Sequence, residues 1–520
     1  SNYRAGVNAG DSIASGGNNN VIIGDEAGTA LTTGDQNVAI GTNALKTVVT
    51  HADSVAVGYK ALEVAVIGGN TAIGSEALLK VTSGANNVAV GTSAGQQVTT
   101  GTENVLIGQG AGDALTDADF NVAIGTGALT ADTLGSRTVA IGRNALVSQN
   151  MTTATSVNNT AVGYEAGRNT TTGIDNCLFG SNAGYALTDA DDNVALGRSA
   201  LATDTLGSKS VAVGNNALNA QNFTTATDSN NVAVGHRAGV AVTTGIQNTI
   251  VGSFAGDALT DADDNIAIGH DALSGDTLGS RSVAIGSNAL KTQNFTTATN
   301  TNNTAVGNFA GELVTTGING SFFGKSAGIG VTTGLDNTLI GKEAGTVITN
   351  GDYNVIVGSD SDTNNSDAQS RLVLGFGVEN PTDNSVRIGS GGNFISNTFT
   401  SNATWAHSSD ERLKQNIETD TLGLSFINDL RPVTFKWKRQ ADVPNPLRSD
   451  VRFEKSTDTH HGMIAQEVKA ALDTAGVSTF TGWSADDGDG TQMVSESMFV
   501  YPLIKAIQEL SAKVAALEAK

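Results

Sequence analysis

The stretch Asn37-Val38-Ala39-Ile40-Gly41 decides the fold of this chain, because close copies of it recur through most of the sequence. One copy is Asn121-Val122-Ala123-Ile124-Gly125. The glycines that close the copies stand at positions 24, 41, 58, 74, 91, 108, 125, 142, 163, 180, 197, 214, 235, 252, 269, 286, 307, 324, 341 and 358. Nearly all the steps between them are 17 residues, with one of 16 and three of 21. A short period with this many copies predicts an all-β solenoid of about 20 stacked parallel coils.

The strand in each coil is apolar at three successive positions, as in Val38-Ala39-Ile40. A strand with one face in water would alternate apolar and polar residues instead. We therefore expect one face to be covered by the coil's own core and the other by a neighbouring chain. The small Ala39 in the middle is expected to allow close approach of subunits, and the expected assembly is a homotrimer.

A second period of 72 residues lies over the first. Every fourth coil carries a bulky residue in the middle of its strand: Leu106, Leu178, Ile250 and Phe322. The 21-residue steps arise from insertions at 149–155, 221–227 and 293–299, which we expect to protrude from one side of the rod. They are either repeated weak contacts for a glycan, which gain from avidity, or simply solvated turns.

Acidic loops at 113–119, 189–192 and 257–264 raise the question of a metal. The Gly-Gly-x-Gly-x-Asp pattern typical of calcium-binding repeats is absent, so no metal or other cofactor is predicted, and calcium remains an alternative. The single cysteine, Cys177, excludes an internal disulfide and a cysteine-based zinc site.

The repeats of residues 18–360 resemble the head repeats of trimeric autotransporter adhesins, through the Asn-Val-Ala-Ile-Gly motif and the alanine that follows it. The resemblance implies a left-handed parallel β-roll and a trimer, although the repeat unit here is longer. We divide the chain into an N-terminal segment (1–17), the repeat shaft (18–360), a β-rich neck (361–408) and a C-terminal domain (409–520).

Composition changes at the last boundary. Residues 1–408 hold 16 basic and 34 acidic residues, a net charge of −18, and residues 409–520 hold 13 and 17, a net charge of −4. Such acidity argues against nucleic-acid binding, which needs a cationic face. No apolar run approaches the roughly 20 residues that span a bilayer, and no signal region is seen at the N-terminus, so we expect no membrane insertion.

The boundary itself carries the stretch Ser408-Ser409-Asp410-Glu411-Arg412-Leu413-Lys414. Ser408 and Glu411 have the spacing of a capping box, which predicts a helix beginning near Ser409. Alternatively, Ser409 is a nucleophile and Lys414 its general base, with Arg412 as a nearby cation that favours neutral lysine. The spacing alone does not decide between these interpretations.

Three ordered motifs of the C-terminal part resemble the self-cleaving intramolecular chaperone of phage tailspikes, tail fibres and endosialidases. They are Ser408 to Lys414, the run from Arg431 to Trp437, and His461-Gly462-Met463-Ile464-Ala465-Gln466-Glu467-Val468. The resemblance implies a Ser-Asp-x-x-x-Lys peptidase that acts once on its own chain, cutting between Ser408 and Ser409 after trimerisation. Ser409 and Lys414 are then the catalytic pair, with Asp410 and Arg412 as supporting residues.

The chain ends in an amphipathic segment typical of a coiled coil. Its apolar residues follow a 4-3-4-3 spacing and are Leu503, Ile507, Leu510, Val514 and Leu517. Two heptads are too short to hold three chains alone, so we expect the rest of the domain to assist.

These observations predict an all-β solenoid followed by a small α+β chaperone domain, in a phage tail-fibre or tailspike protein of the virion tail made in the host cytoplasm. The expected partners are two further copies of the chain, upstream tail proteins, and a glycan or protein receptor on the host surface. The alternatives are a capsular polysaccharide depolymerase, which needs a defined pair of carboxylates, and a cell-surface trimeric adhesin.

Overall fold

The structure is a computed structural model that describes residues 1–399, 406–407, 409–438, 458–486 and 490–520. The chain divides into two compact units, residues 1–408 and residues 409–520. The predicted fold class is confirmed, since a long parallel β-solenoid is followed by a small α+β unit that ends in a helix. Within the described residues, no helix has the length and apolar character needed to cross a bilayer.

The solenoid has about 23 turns, and its strands pair in parallel with the strands of the adjacent coils. The stacked strands are Tyr3–Ala5, Val21–Ile23, Val38–Ile40, Val55–Val57, Thr71–Ile73, Val88–Val90, Val105–Ile107, Val122–Ile124, Val139–Ile141, Thr160–Val162, Cys177–Phe179, Val194–Leu196, Val211–Val213, Val232–Val234, Thr249–Val251, Ile266–Ile268, Val283–Ile285, Thr304–Val306, Ser321–Phe323, Thr338–Ile340, Val355–Val357, Arg371–Phe376 and Ser385–Ser390.

The middle residue of each short strand points into the coil, and its two neighbours point outward. Ala39 has no exposed surface, whereas Val38 and Ile40 are partly exposed. The expectation that the small middle alanine serves contact between subunits is therefore wrong. Ala39 instead contributes to the coil interior, where other coils have larger residues such as Leu106 at the same position. The outward Val and Ile side chains are the ones left for a neighbour.

The glycine that closes each strand is required by the stacking of the coils. Gly197 has a φ of 138°, a backbone conformation that is essentially restricted to glycine. A Cβ added to it would lie 2.5 Å from the carbonyl oxygen of Gly214 in the next coil. The glycine column thus keeps the register of the coils because no side chain fits between them.

A column of buried asparagines links the coils through their side chains. Asn104 has no exposed surface, and its Nδ2 donates a hydrogen bond of 2.8 Å to the carbonyl oxygen of Ala118. Its Oδ1 accepts a 3.0 Å hydrogen bond from the backbone N–H of Asn121. Both ends of the amide are satisfied, so burial of the polar group is tolerated.

The 72-residue period is explained by an exchange of volume across the core. Leu106 fills the middle of its strand, and a Cβ on Gly95 or Gly112 would lie 2.6 Å or 2.8 Å from a methyl group of that leucine. One coil later the strand has Ala123, and Leu129 occupies the position that corresponds to Gly112. Most coils therefore have one large side chain at these two positions, either from the strand or from the opposite turn. The coil of Ala89 and Gly95 has neither, and the space at Gly95 is taken by Leu78 and Leu106 of the adjacent coils.

The insertions are anchored at their start and exposed at their tips. Phe223 is 6% exposed, whereas residues 224–226 are exposed, so the predicted protrusion is limited to the tip. Each insertion also forms a short second strand pair. These pairs are Gly135–Ser136 with Thr155–Ser156, Gly207–Ser208 with Thr227–Asp228, and Gly279–Ser280 with Thr299–Asn300.

A fully buried carboxylate lies under each insertion. Asp204 accepts hydrogen bonds from the backbone N–H groups of Gly207 and Phe223, and from Gln221 Nε2 at 2.6 Å. Gln221 in turn accepts a 2.9 Å hydrogen bond from Asn231 of the asparagine column. The longer coil thus keeps the polar column satisfied by a different set of groups.

The acidic loops join one coil to the one before it. Asp119 accepts hydrogen bonds from the backbone N–H and the hydroxyl of Thr102, at 2.6 Å and 2.9 Å. Among the described residues, no group of three or more His, Cys, Asp or Glu side chains is arranged to hold a metal ion.

The solenoid continues beyond both ends of the repeat segment assigned from the sequence. The strands Arg371–Phe376 and Ser385–Ser390 add two coils after Gly358, and a short pair joins Asp362–Thr363 to Glu379–Asn380. The strand Asn393–Thr398 then pairs antiparallel with Ser385–Ser390, and Ala406–His407 pairs with it in turn. This reversal of direction ends the parallel stack.

Within its described residues, the C-terminal unit contains three α-helices, α1 (Leu424–Asp429), α2 (Ala465–Ala475) and α3 (Val500–Glu518), and two 3-10 turns, Glu411–Leu413 and Glu496–Phe499. Two antiparallel strand pairs accompany them in the same described part, Val433–Phe435 with His460–Gly462 and Trp483–Ala485 with Gln492–Val494. The core is small and is formed by Leu422, Phe426, Val468, Ala471, Leu472 and Phe499.

Candidate functional site

The C-terminal unit begins with one tight turn that differs from the predicted helix. Only Glu411–Leu413 form a single 3-10 turn, and its N-cap is Asp410, whose side chain accepts a hydrogen bond from the Arg412 N–H at 2.9 Å. The turn thus begins two residues later than the helix predicted near Ser409, and Asp410 is its N-cap. Ser408 lies outside the described residues.

The short turn brings Lys414 back to Ser409. Lys414 is the C-cap residue and has extended backbone angles (φ −115°, ψ 147°), so the chain leaves the turn at once. Its Nζ donates a hydrogen bond of 2.7 Å to the Ser409 Oγ. In a continuous helix, residues five apart do not share a face, and the contact depends on the helix being limited to three residues.

Both members of this pair are exposed in the single chain. Lysine accepts a proton only in its neutral form, which burial and neighbouring cations favour. The geometry therefore supplies a nucleophile and a proton acceptor in hydrogen-bond contact, but the single chain does not bury them.

Asp410 and Arg412 form an ion pair with each other beside the serine. The guanidinium donates to both carboxylate oxygens, with the shortest contact at 2.6 Å. These side-chain hydrogen bonds, followed by the one from the Arg412 backbone, hold the pKa of Asp410 below its usual value. The guanidinium of Arg412 is thus engaged with Asp410.

The five residues predicted to form a coiled-coil seam all lie on α3 and are exposed. Their relative exposures run from 44% at Leu503 to 70% at Leu517. An apolar cleft of about 420 Å³ adjoins the start of the seam and is lined by Ile427, Leu430, Pro432, His461, Gly462, Met463, Glu496, Phe499 and Leu503. The single chain therefore leaves a helix face and an adjoining cleft uncovered.

Two contacts that fix the unit were not predicted from the sequence. The carboxylate of Glu509 on α3 accepts a hydrogen bond from the N–H of Leu424 at 2.9 Å, which caps α1 where Gly423 provides no side chain. Arg431 and Glu467 pair across the unit. The residues lie 85 and 36 positions apart, and no local sequence pattern reports such distances.

His461 begins the third motif and His460 precedes it, and both lie among packing residues of the C-terminal unit. His460 stacks on Phe435, with ring centroids 5.6 Å apart, and lies edge-on to Trp437 at 6.4 Å. His461 is exposed and lines the apolar cleft.

Comparisons with known proteins bear on the C-terminal unit alone. A search of curated proteins and a search of solved structures returned no significant match. Residues 409–477 match the model of a peptidase family described as the chaperone of endosialidase, so the unit that follows the β-solenoid shaft is similar to that family from Ser409 onward.

Proposed function

We propose that the chain is a subunit of a phage tail fibre or tailspike, made as a precursor whose C-terminal unit assembles the trimer and then cuts itself off. A β-solenoid shaft followed by a segment similar to the chaperone of endosialidase fits such a protein. The observation that carries the cleavage step is the 2.7 Å hydrogen bond between Lys414 and Ser409 at the first residues of the unit.

In the proposed reaction, Ser409 Oγ attacks the carbonyl carbon of Ser408 while Lys414 Nζ takes the hydroxyl proton. The Ser408–Ser409 amide bond breaks, the proton passes to the leaving amine, and an ester joins Ser408 to the Ser409 oxygen. Water then hydrolyses the ester, which leaves a carboxylate on Ser408 and a free amine on Ser409. Asp410 and Arg412 hold the turn that keeps the two side chains together.

We infer that assembly of a homotrimer activates this pair. Ser409 and Lys414 are exposed in the single chain, and so are the seam residues of α3. Contact with two further copies would remove water from the lysine and favour its neutral form. Cleavage would then follow assembly and not precede it.

The order matters because the shaft is self-similar. Some 23 nearly equivalent coils offer many slipped pairings between chains, and a C-terminal trimer would align three chains before their strands meet. Removing the aligning unit afterwards leaves the shaft without a template for refolding, which makes its stability kinetic. In this proposal the mature shaft belongs to the virion tail, binds upstream tail proteins and meets a receptor on the host surface.

The test is Ser409→Ala in the full chain, with Ser408→Ala as the matched control. We expect Ser409→Ala to remain full length on a denaturing gel, and Ser408→Ala to be cut because alanine presents the same carbonyl. Intact mass would place the cut before residue 409. Normal cleavage in Ser409→Ala would rule out this nucleophile.

The dependence on assembly is tested at the seam. Ile507→Asp should lower both the trimer fraction and the extent of cleavage, whereas Gln508→Asp, on an exposed polar position of the same helix, should leave both unchanged. Complete cleavage of a monomeric Ile507→Asp chain would show that the pair works within one chain without assembly.

A further inference from the structure

The turns that follow the strand-closing glycines differ in chemistry from the rest of the shaft surface. We define the turn strip as the residues one, two and five positions after each of the glycines that close the repeats, from Gly24 to Gly358. Nine of the basic residues of the shaft lie on it: Lys46, Lys60, Arg143, Arg168, Arg198, Arg237, Lys291, Lys325 and Lys342. Eleven acidic residues also lie on the strip, but between Arg143 and Lys291 it holds five basic and three acidic residues, a net charge of +2 in a chain whose net charge is −22.

The strip also pairs these cations with aromatic rings. Lys60 lies over Tyr59, Arg143 over Tyr164, Arg168 over Tyr185 and Arg237 over Phe254, with 5.5–5.8 Å from the cation to the ring centroid. Residues 1–358 are all described, and every cation–ring pair found among them is on the strip. A guanidinium that rests on a ring loses less conformational freedom when it binds an anion.

The most developed group of such residues spans four coils around Phe254. The rings of His236 and His270 meet Phe254 edge-on from the coils on either side, at 5.1 Å and 6.1 Å between centroids. Arg237 lies over the same ring and is exposed. The planes of neighbouring rings are inclined by 76° and 78°, so the three rings form a partly apolar surface that is not flat, and the guanidinium of Arg237 covers part of its central ring.

The carboxylates of this group are already balanced or partly buried. Asp271 pairs with Lys291 at 3.0 Å and lies 3.5 Å from His270 Nδ1. Burial raises the pKa of Asp257, and the charge of nearby Arg237 acts in the opposite direction. Among the described residues, the side chain of Arg237 forms no hydrogen bond or ion pair, and the same holds for Arg143.

The internal repeat shows that this chemistry is not imposed by the fold. Positions 72 residues apart keep the same core, as in Ala161, Ala233 and Ala305. On the strip the equivalent positions differ, and His236 stands where the neighbouring superrepeats have Tyr164 and Asn308. Stacking of coils therefore requires the core to repeat and leaves the strip free to carry a distinct surface.

We propose that the turn strip between Arg143 and Lys291 binds an acidic polysaccharide. Tyr164, His236 and His270 provide exposed ring surface for sugar rings. The unpaired guanidinium groups of Arg143 and Arg237 provide forked donors for carboxylate or sulfate groups. With coils about 4.8 Å apart, the coils of Tyr164 and Phe254 are separated by roughly 24 Å, so one extended polymer contacts both groups. The inference rests on the proposed attachment function and names the class of its receptor.

The test uses three polymers with one backbone: carboxymethyl-dextran, dextran sulfate and unmodified dextran of the same length. The full chain should bind at least one anionic polymer, with affinity that falls as salt rises, and should not bind neutral dextran. Because the chain as a whole is anionic, binding to an anionic polymer reports local cations. The two charged arms distinguish carboxylate from sulfate recognition.

Arg237→Gln and Arg143→Gln should each weaken binding by at least about tenfold, the loss expected from a charge-assisted hydrogen bond. The matched control is Arg137→Gln, because Arg137 is exposed, has a left-handed backbone (φ 64°, against 58° at Arg237) and lies off the strip. Equal weakening by the control, or no binding of either anionic polymer by the unaltered chain, would overturn the proposal.

Two further readouts separate polysaccharide binding from subunit contact and from cleavage. A changed oligomeric state in Arg237→Gln would show that the strip is an interface between copies and would also overturn the proposal. A denaturing gel of the same samples reports cleavage before Ser409, so lost binding with normal cleavage concerns the strip and not the proposed precursor function.

Discussion

Lys414 Nζ donates a 2.7 Å hydrogen bond to Ser409 Oγ because the chain makes only one 3-10 turn between them and then extends. A longer helix would carry the two side chains to different faces. The contact is therefore a property of a turn that Asp410 caps and Arg412 reinforces, and it makes the role of each of these residues testable.

Lys414→Arg should abolish self-cleavage. Arginine keeps the positive charge and can donate to Ser409, but it is not deprotonated in proteins, so it cannot accept the serine proton. Intact mass of the purified chain measures the outcome, and Lys436→Arg, an exposed lysine of the same unit, should be cut normally. Efficient cutting of Lys414→Arg would remove lysine from the role of base.

The turn at the site should depend on pH through Asp410. Hydrogen bonds from Arg412 hold the pKa of Asp410 below its usual value in the folded chain. A lowered folded pKa means that the contribution to stability is present above the unfolded pKa and is lost as pH falls through the folded one.

Carboxyl-selective NMR titration of the uncleaved Ser409→Ala chain measures this directly. The Asp410 midpoint should lie below that of an ordinary aspartate, and Arg412→Gln should move it upward. Arg431→Gln, which removes another exposed arginine that pairs with Glu467, should leave the midpoint in place. An unchanged midpoint in Arg412→Gln would contradict the assignment of the ion pair.

Substitution of a glycine in the column that keeps the register of the coils should unfold the shaft locally. Gly197→Ala places a Cβ 2.5 Å from the Gly214 carbonyl oxygen, so coils must separate, and we expect a loss of several kcal/mol. Gly110→Ala is the control, since Gly110 has a φ of 63° and a Cβ there meets only Asp113 Oδ2, at 3.7 Å. Its cost should be about 1–2 kcal/mol, the ordinary penalty of left-handed backbone.

Thermal melting followed by circular dichroism compares the two glycine variants. The prediction fails if both melt at the same temperature, since the clash between coils would then contribute nothing beyond the backbone penalty.

If strand and turn exchange side-chain volume in the core, the effects of substitutions at Leu106 and Gly112 on stability should not be additive. Leu106→Ala should cost about 2–5 kcal/mol, because it opens a cavity in a coil that has glycine opposite. Adding Gly112→Leu recreates the pair found one coil later, Ala123 with Leu129, and should recover part of the loss. A double-mutant cycle on denaturant midpoints measures the coupling, and simple additivity would contradict the volume exchange.

Asp204→Asn should destabilise the shaft although it hardly changes shape. Asp204 accepts from two backbone N–H groups and from Gln221 Nε2, so an amide in its place turns one acceptor into a donor facing a donor. We expect a loss of about 1–3 kcal/mol. Asp228→Asn, at an exposed carboxylate paired with Lys209, should change stability by less than about 1 kcal/mol, and equal effects would argue against the buried acceptor role.

The sequence determined the period, the strand positions and the place where the solenoid gives way to another unit. It could do so because each coil contacts mainly its neighbours, so a short repeat such as Asn37 to Gly41 contains nearly all the information that one coil needs. The seam on α3 followed from helical spacing for the same reason, since it depends on residues three and four positions apart.

Only the tertiary structure decided which way the side chains point and which distant groups meet. The direction of Ala39, the exchange of Leu106 with Gly112, and the cap that Glu509 gives to Leu424 all depend on atoms from other coils or other elements. The pair of Ser409 and Lys414 was only partly predictable from the sequence. Their spacing is visible in the sequence, but their contact depends on the length of the turn, which the cap at Asp410 and the extended backbone at Lys414 set together.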